Sequence, residues 1–208
     1  MSRRSLLLAS SVALLAACGG GSSKSSNPVG SGASLAATGT IPFTATNATW
    51  ATGGKTCASA GVSFGFAWAA LAASDQSGIC GYLQANEDKQ NARTITVVVL
   101  ALNANGPMAT VGAGSYPIVA NPTTSDSAYA FVSVGENDAA CQATDVTATG
   151  GTVTVTSIAN GRLQGSVSAT LSDGGAVTGS FDAQECSVTF PGDACSGQIG
   201  PQNPTCAP

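Results

Sequence analysis

The chain has 208 residues, of which only 9% are charged against roughly 25% in an ordinary soluble protein; 11 acids face 7 bases, and there is no histidine. With no basic run after Arg4, nucleic acid is a poor electrostatic partner, and so is an anionic head-group surface. The missing imidazole also rules out Ser-His-Asp and Cys-His catalysis, and seven cysteines without a CxxC pair do not provide zinc spacing.

In chain order, Arg3 and Arg4 precede an apolar run from Leu6 to Ala17. That run is too short to cross a bilayer as a helix and reads as a signal peptide. It ends in Leu15-Ala16-Ala17-Cys18, small residues set directly before a cysteine. This pattern resembles the lipobox of bacterial lipoproteins. The resemblance implies removal of residues 1–17, diacylation of the Cys18 thiol by palmitate-like chains and acylation of the new amino terminus. One acyl chain holds a protein marginally, and two or three hold it stably. Residues 18–39, with Gly19-Gly20-Gly21-Ser22-Ser23, form a tether whose typical reach is about 25 Å. Gly19 stands where enterobacterial lipoproteins retained in the inner membrane carry aspartate, so the resemblance implies an outer-membrane, lipid-anchored location in the cell envelope.

Residues 40–208 are expected to form a single β-domain with a disulfide-bonded C-terminal tail. Val62, Phe64, Phe66 and Trp68 alternate with Ser63, Gly65 and Ala67, the period of a strand with one buried aromatic face. Ile79 to Gln84 reads as a short strand, and Glu87 to Asn91 as the most polar loop. Arg93 to Leu102 becomes apolar on both faces in its second half, as a covered central strand does. Pro117, which cannot donate to a ladder, places Ser115 to Val119 at a sheet edge. Tyr129, Phe131 and Ser133 face opposite to Ala130, Val132 and Val134, and Gly135 to Asp138 reads as a loop.

The clearest pattern runs from Gly150 to Cys186. Leu163, Gly165, Val167, Ala169 and Leu171 point one way, with Gln164, Ser166, Ser168 and Thr170 opposite; Val177, Gly179, Phe181 and Ala183 repeat the alternation. Asn160-Gly161 and Asp173-Gly174 supply the positive φ angles of tight hairpin turns. With Thr152 to Ile158 as the first strand, the result is a three-stranded antiparallel meander. The stretches at 151–156, 160–165 and 179–186 resemble the closing strands of uncharacterised β-rich lipoproteins of Gram-negative bacteria, myxobacterial ones among them. That resemblance implies a fold and no activity. The fold expectation is therefore all-β: an antiparallel sandwich or barrel, closed by this meander and stapled by disulfides.

Setting Cys18 aside leaves Cys57, Cys80, Cys141, Cys186, Cys195 and Cys206, an even set that in an exported chain reads as three disulfides. Sequence order favours Cys57 with Cys80, Cys141 with Cys186 and Cys195 with Cys206; a Cys186 to Cys195 bond is the alternative. Carboxylate pairs for glycoside chemistry would be Glu136 with Asp138, or Asp182 with Glu185. Asp126, Glu136 and Asp138 are the candidates for calcium, although they lack the DxDxDG spacing. Each of these acids also reads as loop or strand-face solvation, so no catalytic residue, metal or cofactor is expected. Phe64, Phe66, Trp68, Tyr129 and Phe131 would either fill a core or line a ligand cavity inside a barrel. Trp50 would be exposed, and Asn47-Ala48-Thr49 would be a turn.

The resulting expectation is a non-enzymatic envelope lipoprotein, a structural or binding module whose membrane contact is its lipid anchor. The alternatives are a β-barrel binding a small apolar or sugar ligand and, third, an enzyme using a carboxylate pair. A ligand barrel requires an enclosed apolar cavity, a structural module a filled interior, and an enzyme carboxylates about 5–10 Å apart in a cleft.

Overall fold

The computed structural model describes residues 32–59, 62–103, 109–122, 127–188 and 204–208. Their strands are β1 (Gly32–Ala37), β2 (Phe43–Ala45), β3 (Asn47–Ser59), β4 (Val62–Ser74), β5 (Glu87–Lys89), β6 (Arg93–Asn103), β7 (Gly114–Pro117), β8 (Ala128–Asn137), β9 (Ala143–Ala159), β10 (Arg162–Leu171), β11 (Ala176–Glu185) and β12 (Thr205–Ala207). One helix, α1 (Ile79–Ala85), interrupts them. The main sheet runs β10-β9-β8-β6-β4-β3-β11, and the β10–β11 pairing closes it into a ring. The fold is all-β, and of the two expected architectures it is the barrel.

Closure depends on how β11 shares its second edge. Its last residues pair parallel with β3, Gln184 opposite Thr49 and Glu185 opposite Trp50. The rest of that edge is taken antiparallel by β1, from Gly32 opposite Asp182 to Ala37 opposite Val177, so the expected tether over residues 18–39 is corrected: its residues 32–37 belong to the barrel and bring Leu35 into the core. The short β2 then pairs with β1 and continues into β3 through Thr46. β7 pairs with β9 away from the ring path, the edge position that Pro117 demands.

The period-two pattern fills the interior. Leu35, Ile95, Val134, Val153 and Val177 are entirely shielded, and Ala69, Leu71, Val97, Val132, Val167 and Phe181 join them in one core cluster. Each buried Val or Leu contributes about 1.5–3 kcal/mol relative to exposure. The Phe181 ring covers Gly165 across the β10–β11 pair. A side chain at Gly165 would collide with that ring and with the Thr154 carbonyl, and β9 and β10 shift register at this point. Asn160 (φ 53°) and Gly161 (φ 70°) form the β9–β10 turn in the left-handed conformation expected of Asn-Gly.

The aromatic residues of β4 face outward. Phe66 and Trp68 are buried in a second cluster with Ala51, Cys57 and Ala70, against which Phe64, Val98, Leu100, Leu102 and Val188 pack. The indole of Trp68 lies over Gly53 of the neighbouring strand, where a Cβ would come within 2.5 Å of Cζ2. The expectation that Phe64, Phe66 and Trp68 could line a barrel cavity is thereby corrected. The adjacent odd-numbered residues, Ala69, Leu71 and Ala73, are the ones turned inward. Tyr129 and Phe131, stacked edge-to-face at 5.4 Å, likewise alternate with the inward Ala130 and Val132.

Several local expectations are corrected too. Ile79 to Gln84 is helical: Gly78 and Asn86 take left-handed conformations at its two ends, and Ile79 and Cys80 are buried on one side. Part of the polar segment Glu87 to Asn91 is a strand, because β5 finds a parallel partner in β12, so a ladder as well as a covalent staple orders the end of the tail. Gly135, Glu136 and Asn137 continue β8, paired with β9. Asn47 to Thr49 begins β3. Trp50 is 4% exposed, with Nε1 donating to the Gly161 carbonyl at 3.2 Å.

The disulfides join Cys80 with Cys186 and Cys141 with Cys206, with Cα atoms 5.6 and 5.7 Å apart. This replaces all three pairings favoured by sequence order. Three antiparallel strands begin and finish at opposite ends of their sheet, so Cys141 before β9 and Cys186 after β11 are a strand length apart. Instead the Cys186 amide donates to the Trp50 carbonyl beside α1, and Cys80 meets it there. Cys57 is also disulfide-bonded, to a partner outside the described residues.

Candidate functional site

Cross-strand register on the outer wall builds the polar part of the site. Ala72, Thr96, Ser133 and Thr147 stand opposite one another across β4, β6, β8 and β9, and Ser74, Thr94, Gly135 and Asp145 form the next row. On an outward face of Val and Leu residues, this end of the wall is therefore small and hydroxylated. Gly135 matters sterically: a Cβ there would come within 2.5 Å of Asp145 Oδ1, so the missing side chain is what admits the carboxylate.

Over this wall stand α1 and β5, held by covalent bonds at both ends. Cys80 ties α1 to the end of β11, and Cys206 ties β12, and with it β5, to the β8–β9 turn at Cys141. The backbone adds Gln90 N to the Ala207 carbonyl and Thr205 N to the Asn86 carbonyl. Between roof and wall lies a cleft of about 170 Å³. Ile79, Tyr82, Leu83, Asp88 and Lys89 line the roof, and Thr94, Thr96, Ser133 and Asp145 line the wall.

Charge within the cleft is unbalanced. Lys89 is occupied: its Nζ donates to the Pro208 carbonyl and lies 5.5 Å from the centre of the Tyr82 ring. The carboxylates of Asp88 and Asp145 accept no hydrogen bond and form no ion pair among the described residues. Burial alone pushes both above the usual carboxylate range. Thr96, a mostly buried residue of the wall, also lines the cleft. The site can thus offer two carboxylates and a hydroxyl as acceptors beside an apolar and aromatic roof.

The acids singled out from the sequence lie elsewhere. Asp138 Oδ1 accepts from the amides of Ala140 at 2.7 Å and Gln142 at 2.8 Å, ordering the turn after β8. Asp182 pairs with Arg162 at 2.8 Å on the barrel's outer surface, and that hydrogen bond lowers its carboxyl below the ordinary range. Glu136 and Glu185 are exposed strand residues. None of these four lines the cleft. Asp126 lies outside the described residues, as do Cys18 and Cys195; among the described residues no cluster of three metal-ligating side chains forms. Asp88 was legible only as part of a polar segment, and Asp145 lies ahead of the strand expected from Thr152, in the part of β9 that the sequence reading left unassigned.

Compared with protein-family models, curated proteins and solved structures, the chain matches none of them.

Proposed function

We propose that this protein is a lipid-anchored cell-envelope module without enzymatic activity, held at the outer membrane through acylated Cys18 and a Gly/Ser tether, and acting through the outer surface of its barrel. The observation carrying this reading is the filled interior. Leu35, Ile95, Val134, Val153 and Val177 occupy, without exposure, the space where a carrier of apolar ligands would hold its cargo. That favours a structural or surface-binding module over a barrel with an internal ligand. The anchor reading is supported by the order of basic residues, apolar run, Leu15-Ala16-Ala17-Cys18 and Gly/Ser tether.

Cell fractionation tests it. Cys18→Ser is expected to move the protein from the membrane pellet to the soluble fraction with an unchanged melting temperature, because the tether separates anchor from barrel. A mutant that stays in the pellet as strongly as wild type refutes the anchor.

A further inference from the structure

We propose that the bond between Cys141 and Cys206 is a thiol-exchange site: a dithiol reduces it while the bond between Cys80 and Cys186 stays closed, and its opening releases β12 from the roof of the cleft. This goes beyond the function proposed above and does not depend on the anchor at Cys18.

The two disulfides occupy opposite environments. Cys80 and Cys186 are 7% and 2% exposed, so a thiolate reaches them only after part of the structure has opened. Cys206 is exposed, on a three-residue strand, and Cys141 is half-buried in the turn after β8. The backbone adds a second difference. Cys141 has a φ of 55°, and the other described residues with positive φ are all asparagine or glycine. The cysteine Cβ makes that left-handed conformation unfavourable. The turn holds it in place: the Cys141 amide donates to the Asp138 carbonyl at 3.1 Å, and Asp138 Oδ1 accepts the amides of Ala140 and Gln142 on either side. Exposed disulfides and those anchored on strained residues are the labile ones.

The exchange runs in two steps. A thiolate of the dithiol attacks Cys206 Sγ, the S–S bond breaks, and Cys141 leaves with the bonding pair and takes a proton from water. The second thiol of the dithiol, losing its proton to water, attacks its own sulfur in the mixed disulfide, and Cys206 leaves with its pair and is protonated. The dithiol ends as a disulfide, oxidised by two electrons, and the protein gains two thiols. Each leaving sulfur has a neighbour suited to it. Cys141 Sγ lies 3.4 Å from the Asp88 carbonyl, to which its thiol can donate, and Gln90 Nε2 donates to Cys206 Sγ at 3.5 Å.

Reduction removes the clamp on a small element. Among the described residues β12 has β5 as its one ladder partner, three residues against three, and so small a two-stranded sheet is marginal by itself. The hydrogen bonds from Gln90 N to the Ala207 carbonyl and from Thr205 N to the Asn86 carbonyl would then be left to hold it. Pro204, directly before β12, lines the cleft, so loosening β12 opens the cleft at that end.

The test uses the full chain in detergent, without denaturant, incubated with dithiothreitol and quenched with N-ethylmaleimide at increasing times. Peptide mapping should find Cys141 and Cys206 labelled together, more than about tenfold faster than Cys80 and Cys186. At that stage hydrogen exchange should show lost protection at the Gln90 and Thr205 amides, with the β8–β9 ladder still protected. Glutathione, a monothiol, should leave its mixed disulfide on Cys206. Cys141→Ser combined with Cys206→Ser should reproduce the loss of protection without any reductant; if that chain fails to fold, the wild-type time course decides alone. Labelling of Cys80 and Cys186 at the same rate, a glutathione adduct on Cys141, or unchanged protection at Gln90 and Thr205 after reduction would each overturn the proposal.

Discussion

Exchanging one inward and one outward residue on β10 is the sharpest test of the barrel. Val167 is 3% exposed and stands between Val153 and Gly179, whereas its neighbour Ser168 stands between Thr152 and Thr178 on the solvated face. Val167→Asp forfeits about 1.5–3 kcal/mol of apolar burial. It also forces a carboxyl into a space without donors, adding roughly 2–4 kcal/mol whether the group stays charged or takes a proton. The combined loss of about 5 kcal/mol is exceptional for a single substitution. For a chain of this size it lowers Tm by roughly 10–20 °C. Ser168→Asp puts the same carboxylate into water and should stay within about 0.5 kcal/mol of wild type. Thermal melts of both variants by far-UV circular dichroism, without reductant, provide the comparison. Equal melting temperatures would refute the strand register, and with it the assignment of Leu163, Val167, Ala169 and Leu171 to the interior.

Replacing Cys80 and Cys186 together by serine reopens a loop of sequence separation 106, for which the chain-entropy model gives about 4.7 kcal/mol; a melt indistinguishable from wild type would contradict that bond. Asp173 Oδ2 accepts the Thr40 amide at 2.6 Å and Oδ1 the Gly175 amide at 2.9 Å, which hold its carboxyl below the ordinary range. Its stabilising contribution is therefore present above the unfolded-state pKa and is lost as pH falls through the lower folded one. Asp173→Asn should reduce Tm at neutral pH and flatten the acid side of the Tm profile. Asp88 has the opposite sign, since burial raises its carboxyl, so its ionised form opposes folding at neutral pH and the opposition is relieved on acidification. Asp88→Asn should raise Tm at pH 7, and a fall in Tm would show that the carboxylate has a partner.

The strands were legible where period-two alternation was supported by turn chemistry. Asn160-Gly161 and Asp173-Gly174 bound β10 as expected, and the inward set of the meander is the buried set. Alternation marks two faces without saying which is the inside. Phe64, Phe66 and Trp68 look like core by hydrophobicity, yet the small side chains on the other face of β4 turn inward because a closed ring leaves little room there. The helix α1 was missed because Ile79 and Cys80 also suit a short strand. The glycine before it and the asparagine after it, both left-handed, were its only punctuation. The disulfide error had a remedy in the sequence itself, since an odd number of antiparallel strands cannot bring its two ends together. The cleft was not legible. It requires β12, near the end of the chain, to pair with β5, and the cross-strand rows that gather Thr96, Ser133 and Asp145 come from strands far apart in sequence.

Whether a filled barrel hangs from a lipid is decided at Cys18. Intact-mass and peptide analysis of the membrane-extracted, non-reduced protein is predicted to find an amino-terminal peptide that begins at Cys18 and carries acyl chains, with the remaining six cysteines in disulfides. Cys80 should be linked to Cys186 and Cys141 to Cys206. An unmodified Cys18, or a peptide joining Cys18 to Cys57, would contradict it.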